Sequence, residues 1–526
     1  MSKKNLYLLG SFLWGLISVS IAQQPVFTKV YYDLNAGLHV YGADRSSDGG
    51  FVMVGQKYSE EGNFGHIMKI DSAGTIEWAK RIYVTADEGL IQDVLCEPDS
   101  TMITVGITRV TSTYKLNIIK WNKNGVPVWT NNIGDYSGLR YLRIKKSIND
   151  GYLISGTNSG YAGSNTSQAL LVKIDQGGNL IWAKTYNSDR QKESGFALGE
   201  LPDGHIILAG ASAKYNPYEE NMLIIKADQN GNVVSSYLSL VAGIPECEVI
   251  DLQIMPNGIV LFATFYGVSG LVRVDSGFNL VWAHKYGFFN SQMWIDIKGI
   301  MSTTDDGGYM LGSPSNYGSM FKTDGEGIPE WQSDSFMYLV DVVQTSDGGY
   351  MAFGNGPVYG LKTVPENIPQ IGAYKSDEEG NSVNCVNQSF AQMEEIEFSF
   401  TDFSILASDF GSVINIDLLI NDFGLITEDA CVVYTSGILK PDQDVQQLKL
   451  FPNPASRVFT FELPDEISHT FLRLEILGSD GQMVYITRDP SCLNTGIDPG
   501  QLTEGLYLVR LVSDNSVYSG KLLINH

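Results

Sequence analysis

The chain has 526 residues and a net charge of −24, with 18% charged residues and 55 glycines. An acidic surface of this kind repels phosphate backbones, which disfavours nucleic-acid binding. The charged fraction falls below the roughly 25% usual in globular chains, and with the glycine content it fits a turn-dense β protein.

The first element is a leader. Lys3 and Lys4 precede the apolar run Leu6 to Ile21, and Ser20-Ile-Ala22 fits a small-x-small cleavage site before Gln23. This predicts a secretory signal peptide over residues 1–22, cut between Ala22 and Gln23. The run is short for a membrane-spanning helix of roughly 20 residues. No later stretch is long and apolar enough to span a bilayer, so a soluble mature chain of charge −26, without Lys3 and Lys4, is expected.

From residue 25 to 385 a unit of about fifty residues recurs seven times. Its first mark is a turn followed by an apolar strand that ends in a small residue. Examples are Asp48-Gly-Gly-Phe-Val-Met-Val-Gly55 and Pro202-Asp-Gly-His-Ile-Ile-Leu-Ala-Gly210. Its second mark is a cation, then Asp or Asn, then Gly, then usually Trp, as in Lys69-Ile-Asp71…Gly74…Trp78 and Lys173-Ile-Asp175…Gly178…Trp182. Pro and Asp set up such turns, and Gly takes their left-handed position. Four strands follow per repeat; in the third they are 138–146, 152–157, 169–174 and 180–186. Short strands and hairpins at this period predict a seven-bladed β-propeller with four strands per blade. Phe27-Thr-Lys-Val-Tyr31 has the spacing of Trp182-Ala-Lys-Thr-Tyr186, whereas the seventh repeat lacks such a strand. The N-terminal segment is therefore expected to complete the last blade and close its edge. The repeated Asp is read as turn chemistry rather than a calcium loop, and the repeated Trp as packing between blades rather than a sugar platform.

Residues 386–446 carry neither mark. They alternate aromatic and acidic residues, as in Glu395-Ile-Glu-Phe-Ser-Phe-Thr-Asp-Phe403. This reads as an extended β linker or a hairpin folded onto the propeller, with disorder the competing reading. Residues 447–526 read as a small β-sandwich of six short strands. The fold class is thus all-β: propeller, β linker and C-terminal sandwich.

No catalytic constellation stands out. The six histidines form no His-Glu-x-x-His, and no Gly-x-Ser-x-Gly elbow or phosphate loop occurs. A non-enzyme without cofactor or metal is expected. Carboxylate pairs keep a glycan-active hydrolase open as the alternative. The loops around 56–65, 158–167 and 212–221 are of modest length, which favours binding over catalysis. Five cysteines are an odd number, so one stays unpaired. Cys385 ends the seventh repeat and Cys431 ends the linker; by elimination they are the expected disulfide.

The last 80 or so residues resemble the type A sorting domain of the type IX secretion system of Bacteroidetes-type bacteria. The resemblance rests on Leu450-Phe-Pro-Asn-Pro454, Leu474-Glu-Ile-Leu…Asp480-Gly-Gln, Gly505-Leu-Tyr507-Leu-Val-Arg and Gly520-Lys-Leu-Leu-Ile524. Within these, Pro452, Asn453, Pro454, Gly505, Tyr507 and Lys521 are the expected motif positions. The resemblance implies passage through the periplasm and across the outer membrane, and removal of the domain by a sortase-like peptidase. It also implies release of the cargo or its attachment to surface lipopolysaccharide. The repeats resemble those of seven-bladed propellers, which implies a fold and no fixed activity. A monomer that binds an unidentified extracellular protein or glycan is expected.

Overall fold

The structure is a computed structural model. It describes residues 26–525 except 34, 60–61, 84–88, 160–165, 216–217, 242–243, 245, 291–299, 314–318, 335–336, 357–369, 383–386, 390–392, 397–398, 410–411, 415–418, 430–445, 457, 463–470, 478–482, 488–496, 498–501 and 514–516. The chain divides into two compact units, Met1–Val432 and Val433–His526. Among the described residues no helix is long and apolar enough to cross a membrane.

The strands of the repeats form where the sequence marks place them. In the third repeat they are Leu139–Lys146, Tyr152–Ser159, Ser167–Ile174 and Leu180–Asn187. Their middle strands are buried along their whole length, which is why the apolar runs are continuous rather than alternating. The N-terminal strand Phe27–Tyr32 pairs antiparallel with Gln370–Ser376 of the seventh repeat, Phe27 opposite Lys375. It serves there as the fourth strand, as its spacing predicted.

The expected seven-bladed propeller of four-stranded blades is corrected by the strand order. Five of the sheets in this unit have five strands each, repeats three and four share a single ten-stranded sheet, and no sheet closes or curls into a propeller or barrel. The two halves of the ten-stranded sheet join through one parallel pairing, Ser167 with Lys192. The sequence marks specify hairpins within a repeat. They carry no information about what lies against the fourth strand, and that is where the architecture differs.

The fifth strands come from the segment read as a linker. Asn387–Ser389 pairs with Pro329–Asp334 of repeat six, and Met393–Glu395 with Leu280–Asn290 of repeat five. Ser399–Asp402, Leu406–Asp409 and Val413–Ile414 continue on repeats four, three and two. Leu419–Asp422 pairs with Ile76–Tyr83 of repeat one, and Ile426–Asp429 with the N-terminal strand. This segment, here called the belt, thus takes the outer edge of every repeat in turn. The edge of the N-terminal strand, expected to be the last one, is covered as well.

Adjacent repeats are joined by a recurring clasp. A turn in each repeat receives the aromatic side chain of the repeat before it. Trp78 lies against Gly125, and a Cβ at Gly125 would come within 2.9 Å of the indole. Trp331 meets Gly380 in the same way, at 2.6 Å. Tyr186, Tyr286 and Tyr31 donate their hydroxyls to the carbonyls of Gly231, Gly327 and Gly74 at 2.7–2.8 Å. Repeat five lacks the turn glycine and carries Phe278 there, at φ 63°. Repeat four correspondingly carries Ser235 where the others have Trp. Phe278 fills that space from the opposite side, its ring 4.7 Å from Tyr237. The Trp is therefore packing, as read from the sequence.

The two marks of a repeat are also tied to each other. Lys322 of the second mark bonds Asp306 of the first at 2.6 Å, and Lys375 pairs with Asp347 at 3.2 Å. Lys69 does the same with Asp48.

The second unit holds a five-stranded sheet of Gln446–Gln447, Val517–Ile524, Gly505–Ser513, Phe471–Leu477 and Met483–Thr487. A two-stranded sheet, Lys449–Phe451 with Thr460–Glu462, accompanies it. Leu450, Phe461, Leu474, Val509 and Leu522 form its core.

Candidate functional site

The C-terminal motif residues converge on the strand Val517–Ile524. Pro452 and Pro454 lack backbone donors, so the chain between them cannot pair as a strand. Asn453 supplies the missing groups from its side chain. Its Nδ2 donates to the carbonyl of Lys521 at 2.6 Å and its Oδ1 accepts from the Leu523 amide at 2.9 Å. An amide side chain presents both a donor and an acceptor, which a carboxylate does not. Ala455 then continues as backbone, donating to Leu523 O at 2.8 Å. Lys521 contributes its carbonyl; its side chain is exposed.

Tyr507 follows Gly505 on its strand and reaches into the core, where it is 8% exposed. Its hydroxyl donates to the carbonyl of Thr503 at 2.8 Å, tying the strand to the turn before it. Gly520 is a residue whose role the sequence reading did not resolve. A Cβ there would sit 2.3 Å from the carbonyl of Leu448, so only glycine lets the segment 446–448 lie against this strand.

Residues 449–525 match the secretion system C-terminal sorting domain family. The chain is thus a secreted, all-β protein exported through a sorting domain of the type IX secretion system. The match leaves the first unit unassigned, and no curated protein matches the chain. Among solved structures it is similar to a protein of unknown function from Bacteroides caccae, at 13% identity and TM-score 0.28, over 49% of this chain and 93% of that one. A 6-phosphogluconolactonase homologue from Bacteroides fragilis, described as putative, shows 10% identity and TM-score 0.35, over 59% and 93%. A puromycin hydrolase variant shows 11% and 0.37, over 64% and 54%. Likenesses this low carry no argument about fold or activity. The sorting domain is what the comparisons add.

In the first unit, chemically distinctive residues gather on the first strands of the repeats. These strands are bulged, for example between Val40 and Gly42, Ile91 and Asp93, and Leu339 and Asp341. The bulge aims a carboxylate at the backbone of a neighbouring repeat. Asp341 accepts from the Ala43 amide at 2.9 Å, Asp44 from Cys96 at 2.7 Å, and Asp93 from Ile144 at 2.9 Å. Burial raises the Asp341 carboxyl to about 7, and the charges of Asp93 and Asp44 add to the effect. Burial likewise raises Asp44 to about 6. These groups staple strands together, and burial shifts two of them, Asp341 and Asp44, toward neutral pH. No motif of the sequence analysis named them; an Asp inside an apolar strand, as in Val340-Asp341-Val342, was the available signal.

A second group lies where repeats four and five meet. Burial, then the nearby Glu220, raises the Glu248 carboxyl to about 7. Tyr218 donates to Glu220 at 2.8 Å, and Tyr266 is 66% exposed at a turn with φ 49°.

The repeated turn aspartates serve their own turns. Asp71 accepts from the amides of Ala73 and Thr75 at 2.9 and 2.8 Å, and Asp324 from Glu326 and Ile328 likewise. Cys96 and Cys247 are free thiols, and burial pushes Cys247 up to about 12. The expected disulfide partners Cys385 and Cys431, and the cleavage residues Ala22 and Gln23, lie outside the described residues.

Proposed function

We propose that the first unit is the cargo, acting outside the cell by binding a protein or glycan. The observation that carries this reading is an asymmetry between the two ends of the repeats. At one end all seven Asp or Asn turns are alike: Asp71, Asn122, Asp175, Asp228, Asp275, Asp324 and Asp377 each donate to the carbonyl four residues on. At the other end the connections differ in length, from the two-residue turn at Tyr266-Gly267 to the span 357–369. Loops that vary on a constant scaffold are where binding specificity resides. The test is a glycan array and a partner screen on residues 23–432, before and after residues 357–369 are replaced by a short Gly-Ser turn. Binding that survives every such loop replacement overturns the reading.

The sorting domain then acts as an address. The type IX machinery engages it, and a sortase-like peptidase removes it, leaving a monomeric cargo that is released or attached to surface lipopolysaccharide. A chain ending at 446 is expected to stay in the periplasm of a host with that machinery; its normal secretion refutes the role.

The second reading is a glycan-active enzyme. It is favoured by the Glu248 carboxyl, held near neutrality beside Glu220, with Tyr266 exposed close by. A carboxyl raised toward neutrality by burial, beside a second carboxyl, is the kind of pair glycoside hydrolysis uses. Turnover of a glycan that is lost in both Glu248→Gln and Glu220→Gln decides for this reading.

A further inference from the structure

The belt meets the repeats in a repeating register. An acidic residue stands opposite the same position of five of the seven outer strands, two residues after the Trp or its equivalent; in repeat six Ser333 faces Gln388 instead. Asp422 faces Lys80, Asp409 faces Lys184, and Asp429 is the register partner of Lys29. Asp402 faces Tyr237 and Glu395 faces His284. From 395 to 402 to 409, and from 422 to 429, the step is seven residues. Val413–Ile414 on repeat two falls within the longer step between. In two of these pairs the ions meet: Lys80 with Asp422 at 2.5 Å and Lys184 with Asp409 at 2.7 Å.

The residue after the acid is apolar and returns to the sheet. Phe403 donates its amide to Ser236 O at 2.9 Å, Ile396 to Ala283 O at 3.0 Å, and Phe423 to Ala79 O at 3.4 Å. Phe423 packs beside the core of repeat one, with the Lys57 ammonium 5.3 Å from its ring. The outer edges of repeats one, four and five thus read three features: an extended backbone, an acid, and an apolar residue after it. This is strand addition to a sheet edge, with main-chain bonds for affinity and side chains for specificity. Each contact involves a strand of only two to four residues. Short elements of this kind open locally without global unfolding.

We infer that the outer edges of repeats one, four and five, with repeat one as the case tested below, are docking sites for an extended peptide bearing an acid followed by an apolar residue. The partner is a second copy of this chain, whose 387–429 segment carries that pattern. An edge vacated by its own belt strand presents the same lysine and carbonyl to the corresponding strand of the other copy. This inference is independent of what the variable loops bind.

The test uses the full chain with residues 419–423 replaced by Gly and Ser, so that one edge is vacant and the rest of the belt stays. A fluorescent peptide of sequence 419–425 is the probe. Saturable binding is expected, at least tenfold tighter than to the intact chain. It should be lost for the Asp422→Lys peptide and restored when that peptide meets a Lys80→Glu vacant chain. Equal binding to intact and vacant chains, or indifference to the charges, overturns the docking site. Hydrogen exchange on the otherwise intact chain needs no vacancy. Lys80→Glu should speed exchange of the Phe423 amide, which donates to Ala79 O, and adding Asp422→Lys should slow it again; failure of the swap to restore protection also overturns it. The vacant chain should self-associate in sedimentation, and Lys80→Glu should prevent this. A vacant chain that remains monomeric while binding the peptide overturns the choice of partner.

Discussion

The two units both have a strand edge to cover, and they use different means. In the first, the fourth strands are covered by a later segment of the chain, one short strand at a time. In the second, the edge of Val517–Ile524 is met by the parallel strand Gln446–Gln447, by the backbone of Ala455 and by the side chain of Asn453, which stands in for backbone between two prolines. An unpaired edge is a template for association, so both answer the same hazard. The belt spreads the task over seven edges; the sorting domain covers one edge with neighbouring backbone and, between two prolines, one amide side chain. Loss of one belt contact leaves six edges covered, whereas loss of the Asn453 amide bares part of the one edge the sorting domain has to cover.

The largest effect that would break this comparison is removal of residues 387–432 as a whole. With every outer edge bare, the first unit should aggregate on light scattering and lose a cooperative melt. A soluble, monomeric product with an unchanged melt would show that the edges need no cover. Next is the repeat without a Trp. Phe278→Gly should cost about 2–4 kcal/mol, as expected for deleting a buried aromatic ring. Ser235→Trp on that background should recover much of the loss in denaturant titrations, because the space would again be filled from the other side. In the sorting domain, Asn453→Asp should cost about 1–3 kcal/mol, since Lys521 O loses its donor. Secretion of the full chain should fall with it. Against this, Lys184→Ala in the belt contact should cost at most about 1 kcal/mol, as exposed ion pairs do.

The smallest and most selective effect concerns pH. Asp341 and Asp44 have folded values raised to about 7 and 6 from an ordinary 3.8. The folded state therefore holds more protons than the unfolded state between about pH 4 and 7. The stability these two contribute is full below that window and is lost as pH rises through it. Glu97 works in the opposite sense. The bonds from Lys120, Lys146, Thr101 and Tyr152 outweigh its burial and hold it down to about 2 from 4.5. Its contribution is full above the ordinary value and lost as pH falls toward 2. The melting temperature should thus peak near pH 5 and fall toward pH 8, and Asp341→Asn should flatten the fall by a few degrees. An equal slope in the variant would place the proton elsewhere.

Much of the first unit was legible because its turns need particular residues. Asp or Asn followed by Gly, at Asp71 and Gly74 or Asp324 and Gly327, states a turn in chemistry that is local to the chain. The strands of the sorting domain were legible for a similar reason, with Gly505–Ser513 and Val517–Ile524 falling where the sequence placed them. The propeller expectation failed because assembly of the strands is not a local property. The belt was missed for the same reason. Its seven-residue step from Glu395 to Asp402 to Asp409 is present, but each strand is only a few residues long and its partner lies far away in sequence. Asp341 was passed over because a bulge leaves no residue signature, and Asp44 because the amide it bonds, that of Cys96, lies in the next repeat.

The N-terminal strand Phe27–Tyr32 lies between Gln370–Ser376 and Ile426–Asp429. The first strand to leave the ribosome therefore finds its partners only among the last residues of the unit. Pairings this distant are slow to form. While Phe27 waits, the chain has no finished sheet at that place and can still be threaded as an extended polymer. Completion of that sheet is thereby set to follow the synthesis of residue 429, so the seventh repeat is the last whose outer edge is covered.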